Sequence, residues 1–236
     1  MVMHRKPVPN PRRVIPLVCL LGASLFLTPV QRAGAAGFFN TLTWSVRGSI
    51  LIIPEDNGLQ SDPTPILPSP GLAAAYPLNP LLGLEVSIDF YATYYGYSSI
   101  LQRAVPYAIE NRSTFVFGSI LGFQGVYKLP INATVSARFF AGPAVDLRLC
   151  LVAPDLKGTD LSDAAAQTAD VTKYFWGSGR WIFPFVGLGL NYGLSDKYTL
   201  GFDTRLWFPL YRLWSGENLP AVEGWRFAAG LRLTFR

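Results

Sequence analysis

Residues 224–236 read GWRFAAGLRLTFR, and their alternation constrains the fold more than any other stretch. Trp225, Phe227, Ala229, Leu231, Leu233 and Phe235 occupy one parity; Arg226, Ala228, Gly230, Arg232 and Thr234 occupy the other. Successive side chains of an extended strand point to opposite faces, so this segment is a ribbon with one apolar and one polar side. Such a ribbon needs an apolar medium against one face only.

The same pattern recurs upstream. Residues 41–53 set Leu42, Trp44, Val46, Ile50 and Ile52 against Thr41, Thr43, Ser45, Arg47 and Ser49. Residues 82–95 set Leu82, Leu84, Val86, Ile88, Phe90 and Tyr94 against Glu85, Ser87, Asp89, Tyr91 and Thr93. Residues 132–152 and 198–210 alternate in the same way, with Arg138, Asp146, Arg148, Asp203 and Arg205 on their polar sides. Weaker alternation marks 69–78, 113–128 and 180–194, which predicts eight strands in all. Asn79-Pro80, Leu129-Pro130 and Ser195-Asp196 mark tight turns, whereas 54–68, 96–112, 153–179 and 211–223 are long connections. Pro70, Pro77 and Pro209 are expected at strand ends, Pro184 in the outer third of its strand and Pro143 within a strand. No segment after residue 36 holds the roughly 18 uncharged apolar residues of a spanning helix. Half of the residues are nevertheless hydrophobic and only 15% are charged.

The N-terminus reads as a secretory signal. Arg5, Lys6, Arg12 and Arg13 precede the apolar run 14–30, and Ala33, Ala35 and Ala36 form a small-residue cleavage site. Loss of residues 1–36 removes five cations and no acid, leaving fifteen of each sign, so the formal charge of +5 does not argue for nucleic acid. It also removes His4, the single histidine, and leaves one cysteine, Cys150. A Cys/His metal site, an internal disulfide and a histidine-based triad are thereby excluded, and no cofactor or enzymatic activity is expected.

The polar parity carries the chemistry. Counted up from the tight turns, Arg47, Asp89, Arg138, Asp203 and Arg205 come to neighbouring levels, Glu85 lies lower on its strand, and Arg226 and Arg232 are added by the last strand. If the polar faces point inward, these residues form a buried charge network that plugs a narrow interior. Gly118, Gly122, Gly142, Gly187, Gly189 and Gly201 are then expected to make room for the arginines, and Phe140, Phe183, Phe185 and Trp207 to line an upper apolar pocket. A helix is expected over 163–172, capped by Ser162 or Asp160, with no chemistry assigned. Trp44, Tyr76, Tyr94, Tyr127, Tyr192, Tyr198 and Trp225 are candidates for interfacial aromatic girdles, and Arg180 is the one charge of the apolar parity.

The segment Gly230-x-x-Leu233-x-Phe235 resembles the C-terminal signal of bacterial outer-membrane barrels, although Arg236 follows the aromatic. With the signal segment and the short/long loop alternation, the chain resembles the small outer-membrane barrel group of proteins A, X and W. That resemblance implies an all-β, eight-stranded antiparallel up-and-down transmembrane barrel over 37–236, in the outer membrane of a two-membrane bacterium after export through the periplasm. Lipid and the barrel-assembly machinery are its implied partners, and the long loops form an extracellular contact surface. The alternatives are a passive channel for small solutes or small hydrophobic compounds, and a soluble lipocalin-like barrel with its apolar face inward. Lipid-modifying and phospholipase barrels rely on a histidine, which the processed chain lacks.

Overall fold

The computed structural model describes residues 41–55, 65–108, 112–158, 160–216 and 223–235. The expected signal segment, with Ala33, Ala35 and Ala36, lies outside the described residues. Ten strands are present among the described residues: β1 (Thr43–Ile52), β2 (Ile66–Pro77), β3 (Leu82–Ser98), β4 (Arg103–Pro106), β5 (Thr114–Pro130), β6 (Val135–Gly142), β7 (Ala144–Val152), β8 (Phe185–Gly193), β9 (Tyr198–Trp207) and β10 (Arg226–Phe235).

β6 and β7 are one wall strand. Both pair with β5 in a single unbroken register, Gly122 opposite Ala144 and Gly125 opposite Ala141, and the Phe123 N–H donates to the Pro143 carbonyl across the gap. Pro143 lacks an N–H and therefore interrupts the ladder without shifting it. Counted so, eight antiparallel strands follow one another around the wall, and β10 pairs with β1 from Trp44–Phe235 to Ile52–Phe227. The sheet is a closed eight-stranded antiparallel barrel, which leaves no wall edge unpaired where closure is complete.

Parity settles which face is inside. Ser45, Arg47, Ser49 and Leu51 of β1 are buried, whereas Trp44, Val46 and Ile50 are exposed; the same alternation runs through β3, β5, β9 and β10. Leucine, valine and phenylalanine side chains thus cover the exterior, the reverse of the lipocalin-like alternative. Trp44, Tyr127, Tyr192 and Tyr198 are exposed near the tight-turn end, where Phe235 packs edge-on against Tyr198 with ring centroids 5.9 Å apart.

Several boundaries differ from the sequence reading. Leu129 and Pro130 belong to β5, and the turn is formed by 131–134, where the Asn132 side chain accepts from the Thr134 and Val135 N–H groups. Pro70 lies inside β2, which begins at Ile66. The ladder from β2 to β3 stops at Gly71 because Pro68 and Pro70, whose backbone positions face β3, have no N–H to give. Pro184 precedes β8. The sequence reading missed β4, four residues that pair with the far end of β3.

The connection 153–184 holds a helix, α1 (Leu161–Trp176), longer than expected at both ends. Asp160 is its cap: the carboxylate accepts from the Ser162 N–H at 3.0 Å, which holds this acid below the usual carboxylate range. Ala164, Thr168, Val171 and Phe175 form its buried stripe, and it contacts β3, β4, β5 and β7 at the long-loop end. Arg180 leaves the apolar parity altogether, since it lies before β8. Its guanidinium stacks 4.1 Å from the Tyr174 ring and donates to the Tyr174 and Gly177 carbonyls at the helix C-terminus.

Candidate functional site

The barrel interior is built in layers, each set by inward parity on several strands. The layer nearest the tight turns is ionic. The Glu85 carboxylate accepts from Arg138 at 3.0 Å, from Arg232 at 3.3 Å and from the Gln124 amide, and lies 3.9 Å from Arg47. Asp89 is bonded by Arg47 at 2.8 Å and by Arg205, whose second nitrogen donates to Ser49 at 2.7 Å. Asp203 lies between Arg138 at 3.4 Å and Arg232 at 3.5 Å. Arg232 also donates to the Asn191 amide oxygen at 2.7 Å.

Seven of the eight residues singled out in the sequence meet in this layer. Four guanidiniums face three carboxylates, and all seven are buried. Arg47 and Arg232 are direct cross-strand partners, an arrangement that repels unless a carboxylate intervenes; Glu85 is that carboxylate. The eighth residue, Arg226, lies in a different layer. It pairs with Asp146, which is also bonded by Arg148 and by the Tyr91 hydroxyl at 2.9 Å. Asp146 and Arg148 are two residues apart on one strand face, so the i, i+2 spacing was the available signal for this second layer.

Between the two ionic layers lies an apolar one. Leu51, Ile120, Phe140, Ala144, Phe183, Phe185, Trp207 and Ala228 are buried in a single cluster. Phe185 stacks on Trp207 at 5.8 Å and meets Phe140 edge-on at 6.3 Å. These rings pack on one another and on arginines rather than lining a pocket: Arg138 lies 4.6 Å over Phe140, Arg205 5.2 Å over Trp207, and Arg226 4.1 Å over Phe183. Each of these guanidiniums therefore has a carboxylate within ion-pair distance and a ring close by, which suits its planar, weakly hydrated charge.

The glycines divide by what they make room for. A methyl group on Gly189 would meet Asp203 and Arg138, and one on Gly201 would meet Asn191 and Arg232, in keeping with room for the ionic layer. Gly118 instead accommodates the Tyr91 ring, Gly122 Ser87 and Phe185, and Gly187 Phe140. Gly142 sits against the backbone of β5, and Gly71, which the sequence reading passed over, admits Asp89.

At the long-loop end, the Phe175 ring of α1 lies 4.0 Å from the Arg148 guanidinium and packs edge-on against Tyr95 at 4.9 Å. Arg103 pairs with Glu223, and the Tyr95 hydroxyl donates to Glu55 at 2.7 Å. Cys150 is a free, half-buried thiol. No group of three or more candidate ligand side chains that could hold a metal occurs among the described residues. Leu233 and Phe235 face outward on β10, and Gly230 faces inward at the seam with β1, opposite Ser49.

No family profile matches this chain, and no curated protein matches it. Solved structures do. Neisserial surface protein A is 14% identical with a TM-score of 0.47 and covers 83% of this chain and 96% of its own. The outer membrane protein OprG of Pseudomonas aeruginosa is 12% identical with a TM-score of 0.47, covering 82% and 96%. Ail, the attachment invasion locus protein of Yersinia pestis, is 10% identical with a TM-score of 0.42, covering 82% and 97%. These are small eight-stranded outer-membrane barrels. The likeness is one of fold, which the register of the present chain establishes on its own.

Proposed function

We propose that this chain is an integral outer-membrane protein whose lumen is plugged by its two ionic layers and the aromatic layer between them, and whose long-loop end is a contact surface. In this reading residues 1–36 are removed on export through the periplasm. Residues 37–236 form the barrel, and Gly230, Leu233 and Phe235 are presented to the barrel-assembly machinery. The observation that carries the reading is the pairing of an apolar exterior with an interior whose charges are buried and ion-paired. An eight-stranded barrel is just wide enough for side chains to fill, and here they do so with rings and paired ions. A charge on the exterior at mid-depth would cost about 2–4 kcal/mol, and the exposed residues of the wall are overwhelmingly apolar. The loop end, braced by α1, is the part left to face water and partners. The reading assigns no catalytic step and no cofactor.

Arg138→Ala tests the plug. Arg138 bridges Glu85 and Asp203, so its loss strands part of each carboxylate's charge in a buried layer and opens space beside Gly189. Breaking such a pair is expected to cost about 3 kcal/mol. In planar bilayers the native protein should be silent and the variant should leak ions. A variant with native thermal stability and no leak contradicts the plug, as does steady solute flux through the unaltered protein.

A further inference from the structure

The second ionic layer is short of negative charge. Arg148 and Arg226 share one carboxylate, Asp146. The next carboxylate, Glu55, accepts from the Tyr95 hydroxyl at 2.7 Å and forms no ion pair among the described residues. Arg226 is only 1% exposed, and its guanidinium carbon lies 4.1 Å from the Phe183 ring and 5.8 Å from the Tyr91 ring. An excess cation so enclosed is costly to bury unless an anion accompanies it.

The unused hydrogen-bonding groups point the same way. The Arg226 Nε–H has no acceptor among the described residues, and neither has the Trp207 indole N–H. Trp207 is also buried, and it stands directly opposite Arg226 in the β9–β10 register, with both side chains on the inner parity. The first side-chain carbons of such cross-strand partners are about 5 Å apart. Two buried donors without acceptors thus occur side by side where the second ionic layer meets the apolar one. No acceptor is spare beside them: both Asp146 oxygens accept from Tyr91, and one of them also meets Arg148 and Arg226. The first ionic layer differs. There Asp89 Oδ1, Asp203 Oδ1 and Gln124 Oε1 are unpartnered alongside the guanidinium donors, and bridging water suits both kinds of group.

These features select a ligand that carries negative charge and donates nothing. Water would accept from the two N–H groups, but its own hydrogens would have to find a carboxylate already engaged by three partners. A dianion would overshoot an excess of one positive charge. A halide is compact, monovalent and an acceptor only. Entry is from the long-loop end, since Trp207 is the last residue of β9 and Arg226 the first of β10. We propose that Arg226 and Trp207 bind one small monovalent inorganic anion, of the chloride class, inside the barrel. This rests on the plug reading and adds an ion to it. The test reads anion dependence and not leak, so its failure is distinguishable from that of the Arg138→Ala experiment.

The test uses the full barrel in detergent micelles at constant ionic strength, with sodium chloride exchanged stepwise for sodium gluconate. The melting temperature should rise with chloride and saturate, because a ligand of the folded state alone stabilises that state. Bromide should replace chloride, and crystals grown in bromide should show an anomalous peak beside the Trp207 indole nitrogen. Trp207→Phe keeps an aromatic ring and removes the donor, and should raise the half-saturating chloride concentration about tenfold or more. Gly125→Val, on the outer face, should leave it unchanged. Equal stabilisation by chloride and gluconate overturns the proposal, since general screening does not distinguish the two. So does bromide bound only elsewhere, or an undiminished chloride response in a folded Trp207→Phe protein. If that variant fails to fold, the two measurements on the native barrel decide.

Discussion

Glu85→Ala should be the most damaging single truncation in the barrel. Glu85 is the carboxylate shared by Arg138 and Arg232, it accepts from Gln124, and it is the negative group between the facing pair Arg47 and Arg232. Without it, four guanidiniums would share Asp89 and Asp203 in a layer that water does not reach. Removing one member of a buried ion pair typically costs about 3–5 kcal/mol, a large share of the roughly 5–15 kcal/mol that holds a domain folded. The expected result is loss of the heat-modifiable folded band on a gel after refolding into micelles. The double variant Glu85→Ala/Arg232→Met, which removes one of the stranded cations, should recover part of the folded fraction. A singly substituted protein that refolds with native yield and native thermal stability would show that the ionic layer is merely solvated.

The second large effect is expected at Gly230, and it separates two roles of that residue. A side chain there points into the seam between β10 and β1, where the first carbon would overlap the Gly48 carbonyl and the Ser49 backbone. Backbone cannot move aside as a flexible side chain does, so Gly230→Val must part the strands that close the barrel. Overpacking usually costs about 1–3 kcal/mol, and at a closing seam the upper part of that range or more is expected. Gly125→Val is the control: Gly125 lies on the outer face with nothing within 4 Å of its missing side chain, and the change should stay within about 0.5 kcal/mol of neutral. Refolding of purified protein without assembly factors should be impaired by Gly230→Val and not by Gly125→Val. A Gly230→Val protein that refolds normally alone but fails to reach the membrane in cells would assign Gly230 to recognition and not to packing.

The strands were legible in the sequence because their signal is local. Parity alone separated Trp44, Val46 and Ile50 from Ser45, Arg47 and Ser49, and the structure places those sets on opposite faces. It stayed legible through Pro143, since a missing donor does not change register. β4 was not legible: Arg103, Ala104, Val105 and Pro106 show no alternation and are all buried, because β4 is a short flap on the end of β3 and not a wall strand. The polar interior positions were readable, but their partners were not. Whether Arg226 meets Asp203 or Asp146 depends on how far neighbouring strands are staggered, which tight-turn geometry and closure set together. Residue counting placed Arg226 with the other cations; the stagger puts it beside Asp146 and Arg148. The same ignorance of stagger assigned Gly118 and Gly187 to arginines, when rings of Tyr91 and Phe140 fill those spaces. The apolar residues at 140, 183, 185 and 207 were rightly grouped, but whether such a group encloses space or fills it depends on packing distances that a sequence does not carry.

The most direct test of the account is made in lipid vesicles, with fluorophores attached singly to cysteines introduced at Ile88 and Leu200 in a Cys150→Ser background. Both residues lie on the outer parity of their strands, Leu200 with 39% of its surface exposed. Brominated acyl chains should quench both labels and aqueous iodide should quench neither. Quenching by iodide without quenching by the brominated lipid would put that face in water and contradict the membrane assignment.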